Sequence, residues 1–457
     1  MSQAVISCNY FRDLFCTVAM RRMFSDEARF EAWLNVEVAL ARAQVRAGVI
    51  PPGVDEQLAA VATVDHLDQD AMKAEFDRVG FPILPFVKEL IKLCDPETAR
   101  WVHYGATTQD ILDTGIVLQI RDGLKLVEGD LQGILAALAR QARVHRDTVM
   151  AGRTFQQLAA PITLGYKLAV WLDELLRHHE RLQQLKPRVL VGQCAGAVGT
   201  FATLGAKGLD VQREMMAELG LGTPAITWHT ARDGWAELVN LWAMIGATLA
   251  KIANEVAILM RSEIGELSEP FETGRGASTT LPQKRNPIAC EPIIANAHRL
   301  REMVGSQLSA MVQEHERGVG QMHIEWMVVP ESFVLLSGSL HHARFILENL
   351  VVDADAMRRN LDLGGGLLMS EAVMMGLAPK VGKAQAHHLV YTAAGRAMDQ
   401  GGTLRQALLA DHEVSALLKE AEIDVLLDPA NYLGSAPAMV DAVLARFEAA
   451  AATQSTD

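Results

Sequence analysis

Residues 232–264 read RDGWAELVNLWAMIGATLAKIANEVAILMRSEI. Apolar side chains fall at Trp235, Leu238, Trp242, Ile245, Leu249, Ile252, Val256 and Leu259, at spacings that alternate three and four. That rhythm places one narrow apolar seam along a single long helix, as in a coiled coil. At 1.5 Å per residue the helix is roughly 45 Å long. Two more stretches repeat the pattern, Leu164, Leu168, Trp171, Leu175, Leu182, Leu185 and Leu131, Leu135, Leu138, Ala142. Several long helices with narrow seams imply an all-α bundle, with these Trp and Leu residues as its core.

Composition agrees. Of 457 residues, half are hydrophobic and only 5% aromatic, so a large core forms from helix-favouring rather than strand-favouring residues. The net charge of −13 argues against nucleic acid and anionic membrane surfaces as partners, while leaving room for a locally basic site that takes an anionic substrate. Cys8, Cys16, Cys94, Cys194 and Cys290 are scattered and lack CxxC spacing. Neither a zinc site nor a disulfide framework is expected, and a reducing cytoplasm fits. The N-terminus lacks a signal-peptide pattern, and uninterrupted apolar runs fall short of a membrane span. Pro51-Pro52-Gly53 closes an early helix, Pro161 is expected at a helix start, and Gly364-Gly365-Gly366 reads as a hinge into a smaller C-terminal domain.

Residues 272–292, ETGRGASTTLPQKRNPIACEP, are too rich in Gly, Pro, Ser and Thr for regular helix, yet hold Lys284, Arg285 and Asn286 together. Composition alone allows a catalytic lid or a solvated surface loop. The stretch from Ser278 to Pro287 resembles the signature of the fumarase/aspartase superfamily, GSS-x-M-P-x-K-x-N-P, with Ala277 and Thr279 as departures. WVHYGATTQD (101–110) and GRTFQQ (152–157) resemble that superfamily's other two conserved regions, in the same order. TWHT (227–230), QEHER (313–317) and RRNLDL (358–363) extend the likeness over nearly the whole chain, and look most like the 3-carboxy-cis,cis-muconate cycloisomerase branch.

The resemblance implies three helical domains (1–111; 112–363 with the loop at about 272–290; 364–457). It also implies a homotetramer whose active sites gather conserved regions from different subunits. The reaction it implies removes a proton from carbon next to a carboxylate. By that analogy Ser278 is the base, and Lys284 and Asn286 stabilise the developing charge. Thr107, Thr108, Gln157, His103, His229 and Arg317 bind a small polycarboxylate, with neither cofactor nor metal. Thr107 and Thr108 also suit the cap of a helix with Asp110 in its first turn, and Arg317 suits either a carboxylate or a structural ion pair. His103 and His229 have structural roles as their plain alternative.

Two positions bear on the substrate. Many members carry His where this chain has Phe155, and that His assists leaving-group departure. A carboxylate leaving group, with pKa near 4, needs no such acid. Gln283 stands where these cycloisomerases commonly have His, whereas argininosuccinate lyases have Gln. A C–N lyase or epimerase of N-substituted aspartates is therefore the second reading. A third class, an inactive helical binding protein, is opposed by the intact Ser278, Lys284 and Asn286.

Overall fold

The seam at 235–259 is one uninterrupted helix, Asp233–Leu259, in the computed structural model, which describes residue 6 and residues 8–454. The principal elements, in chain order, are α1 (Asp26–Arg46), α2 (Thr108–Val144), β1 (Val149–Thr154), β2 (Gln157–Thr163), α3 (Leu164–Val189), α4 (Asp233–Leu259), α5 (Cys290–Ala310), α6 (Gln321–Glu348), α7 (Ser370–Val381) and α8 (Lys383–Gln400). Every residue of the three predicted seams is buried, Trp242, Leu249, Leu168 and Leu138 completely. α4 is long and apolar enough by composition to cross a membrane, yet 61% of its most apolar window is buried inside the fold.

The chain divides into two compact units. Unit 1 comprises Met1–Asp130, His178–Leu249 and Pro292–His341. Within it Trp242 of α4 meets Phe333 of α6 edge-on at 5.1 Å. Asn296 of α5 donates to the Leu335 carbonyl of α6 at 3.0 Å. Unit 2 comprises Leu131–Arg177, Ala250–Glu291 and His342–Asp457. There Lys167 of α3 pairs with Glu255 of α4, and Lys251 of α4 with Glu174 of α3. A separate apolar cluster forms where α7 and α8 meet, around Val373, Leu377, Ala386 and Leu389. The glycines 364–366 separate the helix Ala354–Leu361 from α7.

One local expectation is corrected. Pro161 does not start a helix; it lies in β2, opposite Ala151 of β1, and α3 begins only at Leu164. In a two-stranded ribbon both strands are edges, so a residue without an N–H is tolerated there. The hairpin was not legible because its two-residue turn is Phe155-Gln156 rather than Asn-Gly or Asp-Gly.

Candidate functional site

Asp110 organises the site in unit 1. It sits in the first turn of α2, where its Oδ2 accepts the Thr107 amide at 3.1 Å, a cap that also favours the positive helix end. The same oxygen accepts the Gly196 amide at 2.9 Å. Its Oδ1 accepts the Ala195 amide at 3.1 Å and His229 Nε2 at 2.9 Å. Asp110 and His229 are both buried. Next along α2, Gln109 donates to the His229 carbonyl at 2.9 Å and accepts from Arg317 Nε at 2.7 Å. Three sequence segments, WVHYGATTQD, TWHT and QEHER, thus converge on one helix end.

Around this end, Thr107 and Thr108 are half-buried. The cap uses the Thr107 amide and the Asp110 carboxylate rather than a threonine hydroxyl. Arg317 also donates to the Ala197 carbonyl at 3.2 Å. Among the described residues no carboxylate pairs with it. His103 holds Glu37 Oε1 at 2.6 Å through Nδ1.

Sequence reading missed the group behind this cluster. Arg232, fully buried, donates to Asp113 (2.8 and 3.0 Å) and to Glu325 (2.7 to 3.0 Å), and lies 4.0 Å from the Trp235 ring centroid. Burial opposes its charge, but the two carboxylates more than offset that and hold its pKa above the ordinary value. Asp113 also accepts from Gln109 at 3.0 Å, tying the ion triad to the Arg317 contact. The sequence offers only a hint, the TWHTARDGW run that sets an arginine between two tryptophans.

Unit 2 holds the loop. Ala277 and Arg285 form an antiparallel bridge, and Asn286 donates to the Gly276 carbonyl through both its backbone amide (3.2 Å) and Nδ2 (2.9 Å). Gly276 has φ +68°, and a Cβ there would lie 2.8 Å from the Asn286 carbonyl. At the tip, Ser278 Oγ accepts two backbone amides, Thr280 at 3.2 Å and Leu281 at 3.1 Å. Lys284 is exposed, and among the described residues no carboxylate pairs with it. Arg285 stacks on Phe271 at 3.9 Å. Buried Glu269 pins the far end by accepting the Ala289 and Cys290 amides at the start of α5.

The β1–β2 hairpin, also in unit 2, is anchored by Arg153, whose guanidinium meets both oxygens of buried Glu266 at 2.6 and 2.9 Å. Asn360, from RRNLDL, donates to the same carboxylate at 2.7 Å. At the tip Phe155 and Gln156 take φ +50° and +65°, and Phe155 is 99% exposed. A bulky residue held there costs of order 1 kcal/mol or more, and such strain clusters at functional positions. His103 and His315 share this backbone, so four of the five such residues among those described fall in motif segments. Gln157 follows the turn and is exposed. Among the described residues no hydrogen bond joins Gln157 to the Ser278 loop.

The site residues therefore form one group in unit 1 (His103, Thr107, Thr108, His229, Arg317) and a second set in unit 2 (Ser278, Lys284, Asn286, with Gln157 on the hairpin). Comparison with known proteins gives this arrangement a context. A family model described as lyase matches residues 16–301, and one described as adenylosuccinate lyase C-terminus matches 366–443. The chain is 44% identical to a 3-carboxy-cis,cis-muconate cycloisomerase of Pseudomonas aeruginosa, over 96% of each chain. It is 40% identical to an N-acetyl-S-(2-succino)cysteine lyase of Dickeya dadantii, over 94% of each. The crystal structure of 3-carboxy-cis,cis-muconate lactonizing enzyme from Pseudomonas putida superposes with TM-score 0.92 at 40% identity, covering 96% of this chain and 99% of that one. The chain belongs to the lyase family, an enzyme of the fumarase/aspartase superfamily.

Proposed function

We propose that the chain is a cycloisomerase-like enzyme that removes a proton from carbon next to a carboxylate, on a polycarboxylate of the 3-carboxy-cis,cis-muconate type. The observation that carries this reading is the pair of backbone amides donating to Ser278 Oγ. A free hydroxyl is a poor base. Two amides that bond better to its anion, at about 1.5–3 kcal/mol each, lower its pKa by roughly two to four units. That leaves the hydroxyl well above neutrality, and water exclusion alone would raise it again, so the serine acts as a base only where its own proton has been released to solvent and loop closure sets the Lys284 ammonium against the oxyanion, an attraction strengthened in a dry cavity. The proton passes to the serine oxygen, and the carbanion's extra charge rests on the substrate carboxylate, facing Lys284. Asn286 keeps the loop in shape through Gly276. Thr107, Thr108, His103, His229, Arg317 and Gln157 are the proposed substrate contacts.

Expulsion of the β-substituent completes the reaction: for the muconate type this is opening of the lactone, whose ring C–O bond breaks with its electron pair leaving on the carboxylate, and lactonisation of the diene is the same step reversed. A carboxylate leaves without a proton, in keeping with apolar Phe155. The second reading is elimination or epimerisation of succinyl adducts, including N-substituted aspartates. The likeness to an N-acetyl-S-(2-succino)cysteine lyase favours it specifically. A thiolate, with pKa near 8.5, also leaves more easily than an amide anion. A panel of 3-carboxymuconate, argininosuccinate, adenylosuccinate, iminodisuccinate and N-acetyl-S-(2-succino)cysteine separates the two. Diene or fumarate absorbance reports turnover, and solvent deuterium at the substrate carbon reports epimerisation. Ser278→Ala is expected to lose the chemical step by several orders of magnitude with an unchanged melting temperature. Wild-type turnover by Ser278→Ala sinks the proposal.

The proposed assembly is a homotetramer with shared sites, supported by the strained, wholly exposed Phe155 tip. The three-domain division at 111 and 363 and a cytoplasmic setting are inferred with it; all five cysteines are free.

A further inference from the structure

His103 takes no part in the proton abstraction proposed above, yet the fold determines its ring closely. Its backbone is left-handed, at φ +58°. Nδ1 lies 2.6 Å from Oε1 of Glu37, in the middle of α1. Glu37 is 1% exposed, and a carboxylate so buried has to be paired. Two turns further along α1, Gln44 donates to the Tyr104 carbonyl at 2.6 Å, so one helix grips this turn at two points. Gly105 closes it at φ +76°, where a Cβ would strike Leu204 at 2.7 Å. Nε2 of His103 has no partner among the described residues, and the side chain is 20% exposed. It lies four and five residues before Thr107 and Thr108, on the segment that Asp110 ties to His229 and Gln109 to Arg317.

We infer that His103 is an imidazolium anchor for one substrate carboxylate through Nε2, and that Glu37 is the positioning residue that orients the ring and keeps it charged. The inference rests on the polycarboxylate reading above, and adds to it the group that Glu37 controls.

The electrostatic surroundings agree. Burial alone lowers the imidazole pKa, but Glu37, by charge and hydrogen bond, and Asp110 at the start of α2 raise it above the ordinary histidine value. The other titratable groups nearby are His229, bonded to Asp110, and Cys194, whose thiol is pushed up by burial and by the same two carboxylates. Beside the fixed charge of Arg317, held on Gln109, His103 is the titratable group left to carry positive charge toward a ligand. Its folded pKa is raised. The pair's contribution is therefore complete below the unfolded histidine value near 6.5 and is lost as pH rises through the folded value. Anion binding at Nε2 follows the same course.

Glu37→Gln preserves shape and an acceptor for Nδ1–H while removing the charge, and Glu37→Asp restores the charge. Histidine C2 hydrogen–deuterium exchange, read by mass spectrometry on the whole enzyme, gives the His103 titration. Tricarballylate serves as the tricarboxylate probe. In wild type His103 is expected to titrate above about 6.5, and tricarballylate is expected to raise that midpoint further. In Glu37→Gln the midpoint falls toward the ordinary value and tricarballylate binds roughly tenfold to a hundredfold more weakly, the scale of one charge-assisted hydrogen bond. Glu37→Asp recovers part of both. The inference is overturned by equal binding in Glu37→Gln, by binding that leaves the His103 midpoint unmoved, or by no binding to wild type at millimolar concentration. Ser278→Ala keeps Glu37 and His103 and is expected to bind the probe like wild type. If it also turns over substrate, proton abstraction by serine fails while the His103 titration still decides the anchor.

Discussion

Asp110→Asn is the most informative single substitution. The carboxylate accepts four donors, two on each oxygen: the Ala195 amide and His229 Nε2 on Oδ1, the Thr107 and Gly196 amides on Oδ2. An amide side chain must turn one oxygen into a donor. If the NH₂ replaces Oδ2, it faces two backbone amides that have no other role. If it replaces Oδ1, His229 is able to move its proton to Nδ1 and accept from it, so only the Ala195 amide is stranded. His229 Nδ1 has no partner among the described residues, however, so its proton is then buried unsatisfied. The cheaper arrangement leaves two orphaned donors at about 1–3 kcal/mol each, a loss of roughly 2–6 kcal/mol. With an unfolding entropy of about 2.1 cal/mol/K per residue, a cooperative melt of the whole chain drops by about 2–6 °C, and by more if unit 1 melts alone. Thermal unfolding at pH 7, followed by near-UV circular dichroism, reads this directly. KM is expected to rise too, because Thr107 and His229 lose their common tether. A variant that melts within about a degree of wild type would refute the four-donor account.

Arg232→Gln leaves Asp113 and Glu325 buried together without their cation, and is expected to cost about 3–5 kcal/mol. Burial already holds the Glu325 carboxyl above the usual range against the pull of Arg232, and the substitution raises it further. A carboxyl with a raised folded pKa stabilises below its unfolded value near 4.3 and loses that contribution as pH rises through the folded value. The variant should therefore fall further behind wild type in melts at pH 8 than at pH 5. Gly276→Ala forces a Cβ against the Asn286 carbonyl at a left-handed φ. Strain of roughly 1–3 kcal/mol in the loop predicts a five- to hundredfold loss of kcat and a melt lowered by only about 1–3 °C; an unaltered kcat would mean that the loop conformation is not the reactive one. Phe155→His is expected to change kcat little if the leaving group is carboxylate, and a large gain in steady-state assays counts against lactone chemistry.

The helical class, the seams and the irregular Ser278 loop are legible from local sequence. A 3.6-residue period is local: Trp235, Leu238 and Trp242 share a face because of helix geometry, whatever they touch. The Ser278 loop was legible for the same reason, since glycine, proline and cations within a short run exclude helix without reference to anything distant. Only the packed fold could show what closes each buried polar pair. Glu37 and His103 are 66 residues apart, Asp110 and His229 are 119 apart, and Arg232 and Glu325 are 93 apart. Nothing periodic links such positions, because each pair joins a buried helical carboxylate to a residue that a turn or loop brings against it. The hairpin was hidden differently. Its turn residues break local preference, and Arg153 meeting Glu266 across 113 residues anchors the ribbon that carries the strained tip.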